Sequence, residues 1–259
     1  MIAALVVVLA LQGGLADRVA AAPDGEVRFS YATRAGVCGN GRNNISFDCE
    51  DGWCGRHRMS FGRNDDDDAG CPCEPGPARV ALQKRGGQVT RLRVHVGGAW
   101  RAAGAGVTDL GAVSAAAAAR YLLDLAARAA GDAGHEAVFP AVLADSVTVW
   151  PDLLRLARSA TVARETRRSA VFWLGQAAGE AATLGLTELL DDTTVALDVK
   201  ESAVFALSQQ PRDAGVPALI RIARTHPSPG VRKKALFWLG QSEDPRALAL
   251  FEEILTERR

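Results

Sequence analysis

One heptapeptide occurs three times in this chain, and its spacing constrains the fold more than any other feature. AVFWLGQ begins at Ala170, AVFALSQ at Ala203 and ALFWLGQ at Ala235, so the copies are 33 and 32 residues apart. A short polar break and a second apolar segment follow each copy. A fixed period of this length, with two amphipathic segments per period, predicts a solenoid of stacked helix pairs.

The apolar positions within the copies explain the repetition. A single helix pair cannot bury its own apolar face, so each unit packs against its neighbours and must match them in shape. A small residue at the first position of every copy allows neighbouring helices to approach closely. The first copy predicts two buried stripes, namely Ala170, Val171, Leu174 and Ala177 at the spacing i, i+1, i+4, i+7, and Phe172, Trp173 and Gln176 beside them.

A fourth, more divergent unit precedes the three copies. Projection of the period back from Ala170 finds the segment 137–139, AVF, followed by another apolar segment. Pro140 stands where Trp173 stands in the next unit, so the first helix of this unit must begin late or bend. Strong helix formers begin after Ser114, which is placed to cap a first turn. We therefore predict an α-solenoid of about four helix pairs within residues 111–259.

Two longer segments carry a family resemblance. VKESAVFALSQ (199–209) and VRKKALFWLGQSEDPRALALFEEIL (231–255) share Val-Arg/Lys, then Ala, then Ala-Leu-Gly, and the second adds Asp-Pro-Arg-Ala before its second helix. This pattern resembles the short HEAT repeats of phycobilisome bilin lyases and of many bacterial proteins. The resemblance covers residues 134–259 and implies a helical solenoid with HEAT-type helix pairs. It leaves the function open, because such repeats serve unrelated roles.

Two enzymes built on similar repeats are disfavoured by the residues present. Deoxyhypusine hydroxylase holds iron with one His-Glu pair per repeat, whereas His135-Glu136 is the only such pair in this sequence. Bilin lyases act inside cyanobacterial cells, where an exported chain would not meet bilin. The sequence has no H-E-x-x-H, G-x-S-x-G or P-loop motif. We accordingly predict no catalytic residue, no metal ligand and no cofactor.

The N-terminal half shows a different period. Apolar and polar residues alternate in EVRFSYA (26–32), and the segments ARVALQK and QVTRLRVHV flank Gly86-Gly87 as in a β-hairpin. We predict a small β-rich region over residues 23–110, which makes the fold class α+β.

Five cysteines cluster in this β-rich region: Cys38, Cys49, Cys54, Cys71 and Cys73. Clustering in a polar, glycine-rich segment favours two local disulfides formed in an oxidising compartment, with one thiol left over. Reduced structural thiols and a metal site are the alternatives, and the spacing does not reveal the connectivity. An enzyme or metal-binding protein that used the cysteines, His57 and the run Asp65–Asp68 is the alternative function.

The first residues resemble a secretory signal. The apolar run MIAALVVVLALQGGLA is too short for a transmembrane span, which needs about 20 apolar residues. It predicts a signal peptide over residues 1–22, cleaved near Ala16 or after Ala22, and hence a periplasmic or extracellular protein. A retained anchor and a buried N-terminal helix are the alternatives.

Charge gives no global indication of a nucleic-acid or membrane partner, because 30 basic and 30 acidic residues cancel. Basic residues nevertheless cluster at the junctions between repeats. They either pair with acidic residues of neighbouring repeats, which the balance of charge favours, or form a partner-binding basic stripe of Arg164, Arg167, Arg168, Arg221, Arg224, Arg232, Lys233 and Lys234.

These features together predict an exported, non-catalytic scaffold that binds a protein partner through a solenoid surface. An extended helical surface without a catalytic motif supports this interpretation. Bilin-lyase-like activity and nucleic-acid binding are less favoured.

Overall fold

The computed structural model describes residues 13–42, 44–46, 49–50, 53–54, 58–60, 73–100, 102–176 and 180–256, with the backbone alone for 49–50, 53–54, 58–60 and 180–181. Two compact units divide the chain, the first ending at Val149 and the second beginning at Trp150. The first unit contains the strands and four helices, and the second is helical. The predicted α+β class and the C-terminal run of helices are confirmed.

The first unit is built on a four-stranded sheet. Its strands occur in the order β10-β1-β8-β9, with β10 parallel to β1 and the other pairs antiparallel. A second small sheet has the order β6-β3-β2-β7, and β4 pairs with β5. The strands are β1 (Gly25–Tyr31), β2 (Cys38–Gly39), β3 (Asn44–Ser46), β4 (Cys49–Glu50), β5 (Trp53–Cys54), β6 (Arg58–Ser60), β7 (Glu74–Pro75), β8 (Ala78–Arg85), β9 (Gln88–Val96) and β10 (Val107–Ala112).

The predicted hairpin and the predicted strand alternation are both present. Gly86 and Gly87 join β8 to β9 with φ values of +56° and +75°, which glycine adopts without a steric penalty. Val27, Phe29 and Tyr31 of β1 are buried to 0%, 0% and 1% exposure. They form part of the core between the sheet and the helices of this unit.

Four helices complete the first unit: α1 (Leu15–Ala21), α2 (Ala115–Arg128), α3 (Asp132–Glu136) and α4 (Val138–Val142). Ser114 caps α2 as predicted, since its hydroxyl accepts a hydrogen bond of 3.2 Å from the N–H of Ala117. The Tyr121 ring of α2 meets the Phe29 ring edge-on, with centroids 6.1 Å apart. The carboxylate of Glu136 accepts a hydrogen bond from the backbone N–H of Leu92, on β9 at the edge of the sheet.

Helix α1 is tied to the sheet by a buried lysine. The ammonium group of Lys84 donates to the carbonyls of Val19, Ala20 and Ala22 at 3.0, 2.6 and 2.5 Å. These carbonyls lie at the C-terminal end of α1, where a positive charge is favourable. Leu15 and Val19 are buried. The alternative of a buried N-terminal helix therefore describes residues 15–21, whereas residues 1–12 lie outside the described part of the chain.

The second unit is a two-layer stack of helices: α5 (Trp150–Arg158), α6 (Arg164–Gln176), α7 (Glu180–Asp191), α8 (Leu197–Ser208), α9 (Arg212–Thr225), α10 (Pro229–Gly240) and α11 (Pro245–Thr256). The "first helices" α6, α8 and α10 contain the three heptapeptides and pack side by side. The "second helices" α5, α7, α9 and α11 form the other layer. The repeated helix pairs are thus α6–α7, α8–α9 and α10–α11.

The divergent fourth unit departs from this pattern at the predicted position. Its first helix is replaced by α3 and α4, each five residues long, which meet at Ala137. Pro140 lies within α4, where it supplies no backbone N–H for a longer helical ladder. Both short helices belong to the first compact unit, which extends to Val149 and so beyond the predicted boundary at residue 110. The division into residues 1–22, 23–110 and 111–259 stays a prediction.

Candidate protein-interaction surface

The three heptapeptides place phenylalanine at the same outward position of successive first helices. Phe172 and Phe205 are half-buried and Phe237 is 55% exposed. Trp238 connects two repeats, since its ring lies 4.9 Å from the Phe205 ring and 5.1 Å from the Phe237 ring between centroids. We call Phe172, Phe205, Phe237 and Trp238 the aromatic ridge.

The buried positions of the heptapeptides account for stacking, and the ridge positions do not. Position one of every copy, an alanine, is fully buried, and the leucine at position five is exposed by at most 1%. Of the second predicted stripe in the first copy, Trp173 is buried, but Phe172 and Gln176 are only half-buried. The prediction of a helix covered on both sides was therefore wrong for these two residues, because no described helix lies over that side of the first helices.

A groove adjoins the ridge at Trp238. It has a volume of about 240 Å³ and lies between the α8–α9 turn and the α10–α11 turn. Its polar lining is mostly neutral: Ser208, Gln209, Gln210, Gln241 and Ser242, with Arg212 as the charged member. Gln210 is buried and donates from its amide to the carbonyl of Gly175, which holds this turn against the preceding repeat. Amides and hydroxyls of this kind can hydrogen-bond a polypeptide backbone.

Ion pairs between repeats occupy much of the predicted basic stripe. Arg164 pairs with Asp198, Arg221 with Asp191 at 3.6 Å and Arg224 with Glu253 at 2.5 Å, each carboxylate being in a neighbouring repeat. The hydrogen bond from Arg164 lowers the pKa of Asp198 below its usual value. Pairing with neighbouring repeats, the alternative that the sequence favoured, describes these three arginines.

The other stripe residues have different surroundings. Arg168 lies 3.7 Å from Glu165 of its own helix, and the buried Nε of Arg167 has no hydrogen-bond partner within the described residues. Arg232 donates to the carbonyls of His226 and Pro227 at 2.7 and 3.0 Å. Lys233 is exposed and Lys234 is half-buried, and neither forms an ion pair with a described residue. That the stripe binds a partner stays a prediction.

The basic residue of the Val-Arg/Lys motif caps the preceding helix. Lys200 donates to the carbonyl of Leu190 at 2.8 Å, in the last turn of α7. The same carbonyl lies 3.0 Å from Nε2 of buried His226, whose Nδ1 accepts from the N–H of Ser228 at 3.1 Å. Because Nδ1 accepts, Nε2 carries the proton and donates to Leu190. These two side chains are structural, and a count of motif residues could not have assigned their acceptor.

The Asp-Pro-Arg-Ala motif forms a compact cap at the start of α11. Asp244 is buried and accepts from the N–H, Nε and Nη2 of Arg246 at 2.9, 2.9 and 2.8 Å. The Arg246 side chain and N–H lower the pKa of Asp244 to about 2. Arg246 also donates to the carbonyl of Arg212 at 2.8 Å, which links α11 to α9.

One predicted disulfide is present in the cysteine cluster. Cys38 and Cys73 are bonded, with Cα atoms 5.1 Å apart. Cys49 lies opposite Cys54 in the β4–β5 backbone register. Cys71, His57 and Asp65–Asp68 lie outside the described residues, so the alternative enzyme or metal site is not described. Within the described residues, no group of three His, Cys, Asp or Glu side chains is arranged to hold a metal ion.

None of the helices in the described part of the chain is both long and apolar enough to cross a membrane. No curated protein shows significant sequence similarity to the chain. The family model "PBS lyase HEAT-like repeat" matches residues 166–192, and the model "HEAT repeats" matches residues 196–259. These ranges begin within α6 and run through α11, the part of the structure that stacks as helix pairs. The C-terminal region of this chain is a HEAT-repeat array whose units resemble those of phycobilisome lyases.

Proposed function

We propose that this chain is an exported, non-catalytic scaffold that binds a protein partner on the aromatic ridge of its HEAT repeats. HEAT repeats generally mediate protein–protein interaction. One observation supports the ridge in particular: phenylalanine recurs at an outward position in three consecutive repeats, where stacking does not require it. Exposed aromatic side chains are enriched at protein interfaces because they bury a large area with few rotatable bonds.

The surface chemistry supports a polypeptide as the ligand. The ridge is apolar, and the adjoining groove presents amides and hydroxyls with a single arginine. Arginines that could contact phosphates, Arg164, Arg221 and Arg224, are paired with carboxylates. A nucleic acid requires unpaired cations along its backbone. A protein segment with apolar side chains fits this surface better.

Export requires a cleavage site that preserves the N-terminal helix. Cleavage after Ala22 would remove Leu15, Val19 and the three carbonyls that Lys84 binds. The buried ammonium group would then lose all three of these acceptors, at a large cost in free energy. We therefore propose that an exported form is cut upstream of Leu15 or keeps the segment.

Photocrosslinking in intact cells tests the ridge. A photoreactive phenylalanine analogue at position 237 should capture a partner, because this side chain is on the exposed part of the ridge. The same analogue at Leu184, which is 56% exposed on α7, is the matched control. A triple variant with Phe172→Ser, Phe205→Ser and Phe237→Ser should lose the captured partner in a pull-down, while circular dichroism shows an unchanged helical content.

Two results would contradict the proposal. One is equal capture at positions 184 and 237, which would mean that the ridge has no special role. The other is full partner retention by the triple variant. Fractionation of the same cells tests export, and the mass of the exported chain identifies its first residue.

A further inference from the structure

The last second helix exposes positions that are buried in the earlier repeats. Fourteen residues after the glutamine that ends each heptapeptide lie Leu190, Ala223 and Leu255, which are 0%, 8% and 69% exposed. Seven residues after it, Val216 of α9 is 4% exposed and Leu248 of α11 is 63% exposed. The change in exposure therefore lies in the surroundings of α11, since the residues remain apolar.

Two further positions show the same trend. Leu186 and Leu219 are 0% and 1% exposed, whereas the equivalent Phe251 is half-buried. Ile254 is half-buried, and its equivalents in α7 and α9 are fully or almost fully buried. A further repeat follows α7 and α9, but no described helix follows α11. We call Leu248, Phe251, Ile254 and Leu255 the terminal face.

An apolar terminal face is unusual for a helical array. End repeats of solenoid proteins carry a polar outer face, which keeps the stack from associating. Leu248, Phe251 and Leu255 follow the i, i+3, i+7 spacing of a single helix stripe. A stripe of this kind matches the apolar stripe of another helix.

Charge on the second helices alternates along the stack. Arg155 and Arg158 of α5 are followed by Glu188 and Asp191 of α7, then Arg221 and Arg224 of α9, then Glu252 and Glu253 of α11. Ion pairs connect each neighbouring pair: Arg158–Glu188 at 2.9 Å, Arg221–Asp191 at 3.6 Å and Arg224–Glu253 at 2.5 Å. Each second helix thus packs against helices of opposite charge.

The alternation defines what the terminal face can accept. Helix α11 is acidic, and α7, the other acidic helix, contacts basic helices on both sides. A second copy docked face to face on α11 would bring Glu252 and Glu253 of both copies together, and like charges disfavour that contact. A basic helix would continue the pattern.

We propose that the terminal face binds an amphipathic helix of a partner protein, with an apolar stripe flanked by arginine or lysine. This helix packs beside α11 as α9 packs beside α7. The site is separate from the aromatic ridge and extends the proposed function, because it adds a second contact of defined chemistry.

A peptide with the sequence of α9 and its flanking residues, 211–226, is a suitable probe. It carries the apolar stripe Val216, Leu219 and Ile222 together with Arg221 and Arg224. A lactam bridge between two outward positions holds it helical, since a short isolated helix is marginal in water. Fluorescence anisotropy measures its binding to the full chain.

We expect the peptide to bind, and a double variant, Leu248→Ser with Leu255→Ser, to weaken binding about tenfold or more. Both leucines are exposed, so the variant should fold. A peptide with Arg221→Glu and Arg224→Glu should bind more weakly than the parent peptide. The variant Phe237→Ser leaves the terminal face intact and should bind the parent peptide normally, which separates this site from the ridge.

Three results would overturn the inference. The first is a lack of peptide binding to the unaltered chain. The second is equal binding of the parent and charge-reversed peptides, or of the peptide to the unaltered and double-variant chains. The third is a dimer in sedimentation equilibrium that the double variant abolishes, which would identify a second copy as the occupant.

Discussion

Gly175 of α6 and Ala206 of α8 lie so close that a Cβ added to Gly175 would be 2.6 Å from the Cβ of Ala206 and 3.0 Å from its Cα. Contacts under about 3 Å between such carbon atoms are strongly repulsive. This contact sets the spacing of neighbouring first helices, and hence the spacing of the phenylalanines on the ridge. The predicted close approach at the alanines of position one is accompanied by this second one, which the sequence analysis did not single out.

Gly175→Ala should lower the free energy of unfolding by about 1–3 kcal/mol, because the helices must separate to admit a methyl group. Gly240→Ala is the matched control. Position 240 ends the third heptapeptide helix, and the nearest atom to an added Cβ is 3.9 Å away in Phe251. This control should be neutral or slightly stabilising, since alanine favours a helix. Urea unfolding of both variants measures the difference, and equal loss in the two would refute the close-contact argument.

Thr166→Val should raise the free energy of unfolding by about 1 kcal/mol. The Thr166 side chain is 0% exposed and its hydroxyl has no hydrogen-bond partner within the described residues. Val199 and Val231 occupy the equivalent positions in the next repeats and are also fully buried. The reverse change Val199→Thr should cost about 1–3 kcal/mol. Thermal unfolding measures both, and a destabilised Thr166→Val variant would show that the hydroxyl is hydrogen-bonded.

Asp244→Asn should destabilise the chain at neutral pH and have less effect in acid. The pKa of Asp244 is lowered to about 2 in the fold, so its ionised form is favoured there. Its contribution is fully present above the usual pKa of 3.8 and is lost as the pH falls through about 2. The difference in Tm between the parent chain and the variant should therefore narrow from pH 4 to pH 2. A constant difference over that range would show that the charge of Asp244 does not contribute.

Removal of the N-terminal helix should make Lys84 destabilising. A chain that begins at Pro23 leaves this buried ammonium group without three acceptors, and it should lose about 3 kcal/mol or more of stability. Lys84→Met should stabilise this short chain but destabilise the chain that retains α1. Chemical denaturation of the four proteins gives the coupling. Additive effects would mean that α1 and Lys84 act independently.

A second disulfide between Cys49 and Cys54 is expected in the oxidised protein. Directly opposed residues of an antiparallel pair have Cα atoms about 4.5–5.5 Å apart, within the range that a disulfide spans. With Cys38–Cys73, this would leave Cys71 as the free thiol. Thiol titration of the unfolded, unreduced protein should find one thiol per chain, and peptide mapping should find Cys49 joined to Cys54. Three free thiols would limit the protein to the disulfide already described.

The solenoid was predictable because its signal is local. The spacing of Ala170, Val171 and Leu174 identifies one helix face, and all three residues are fully buried in α6. Gly86-Gly87 likewise predicts a hairpin from two adjacent residues. The interaction surface was less accessible to this reasoning. Phe172 has the same spacing as a core residue, and its partial exposure depends on which side of the helix is left uncovered.

The sequence by itself determined the helix pairs, the repeat period, the hairpin and the strand alternation, because each follows from a periodicity within a single element. Tertiary structure alone decided the capture of the α1 carbonyls by Lys84, the pairing of Cys38 with Cys73, and the carboxylate that each arginine meets. It also decided that Leu248 and Leu255 are exposed while their equivalents are buried. These relationships join residues far apart in the chain, and they depend on which surfaces meet when the elements pack.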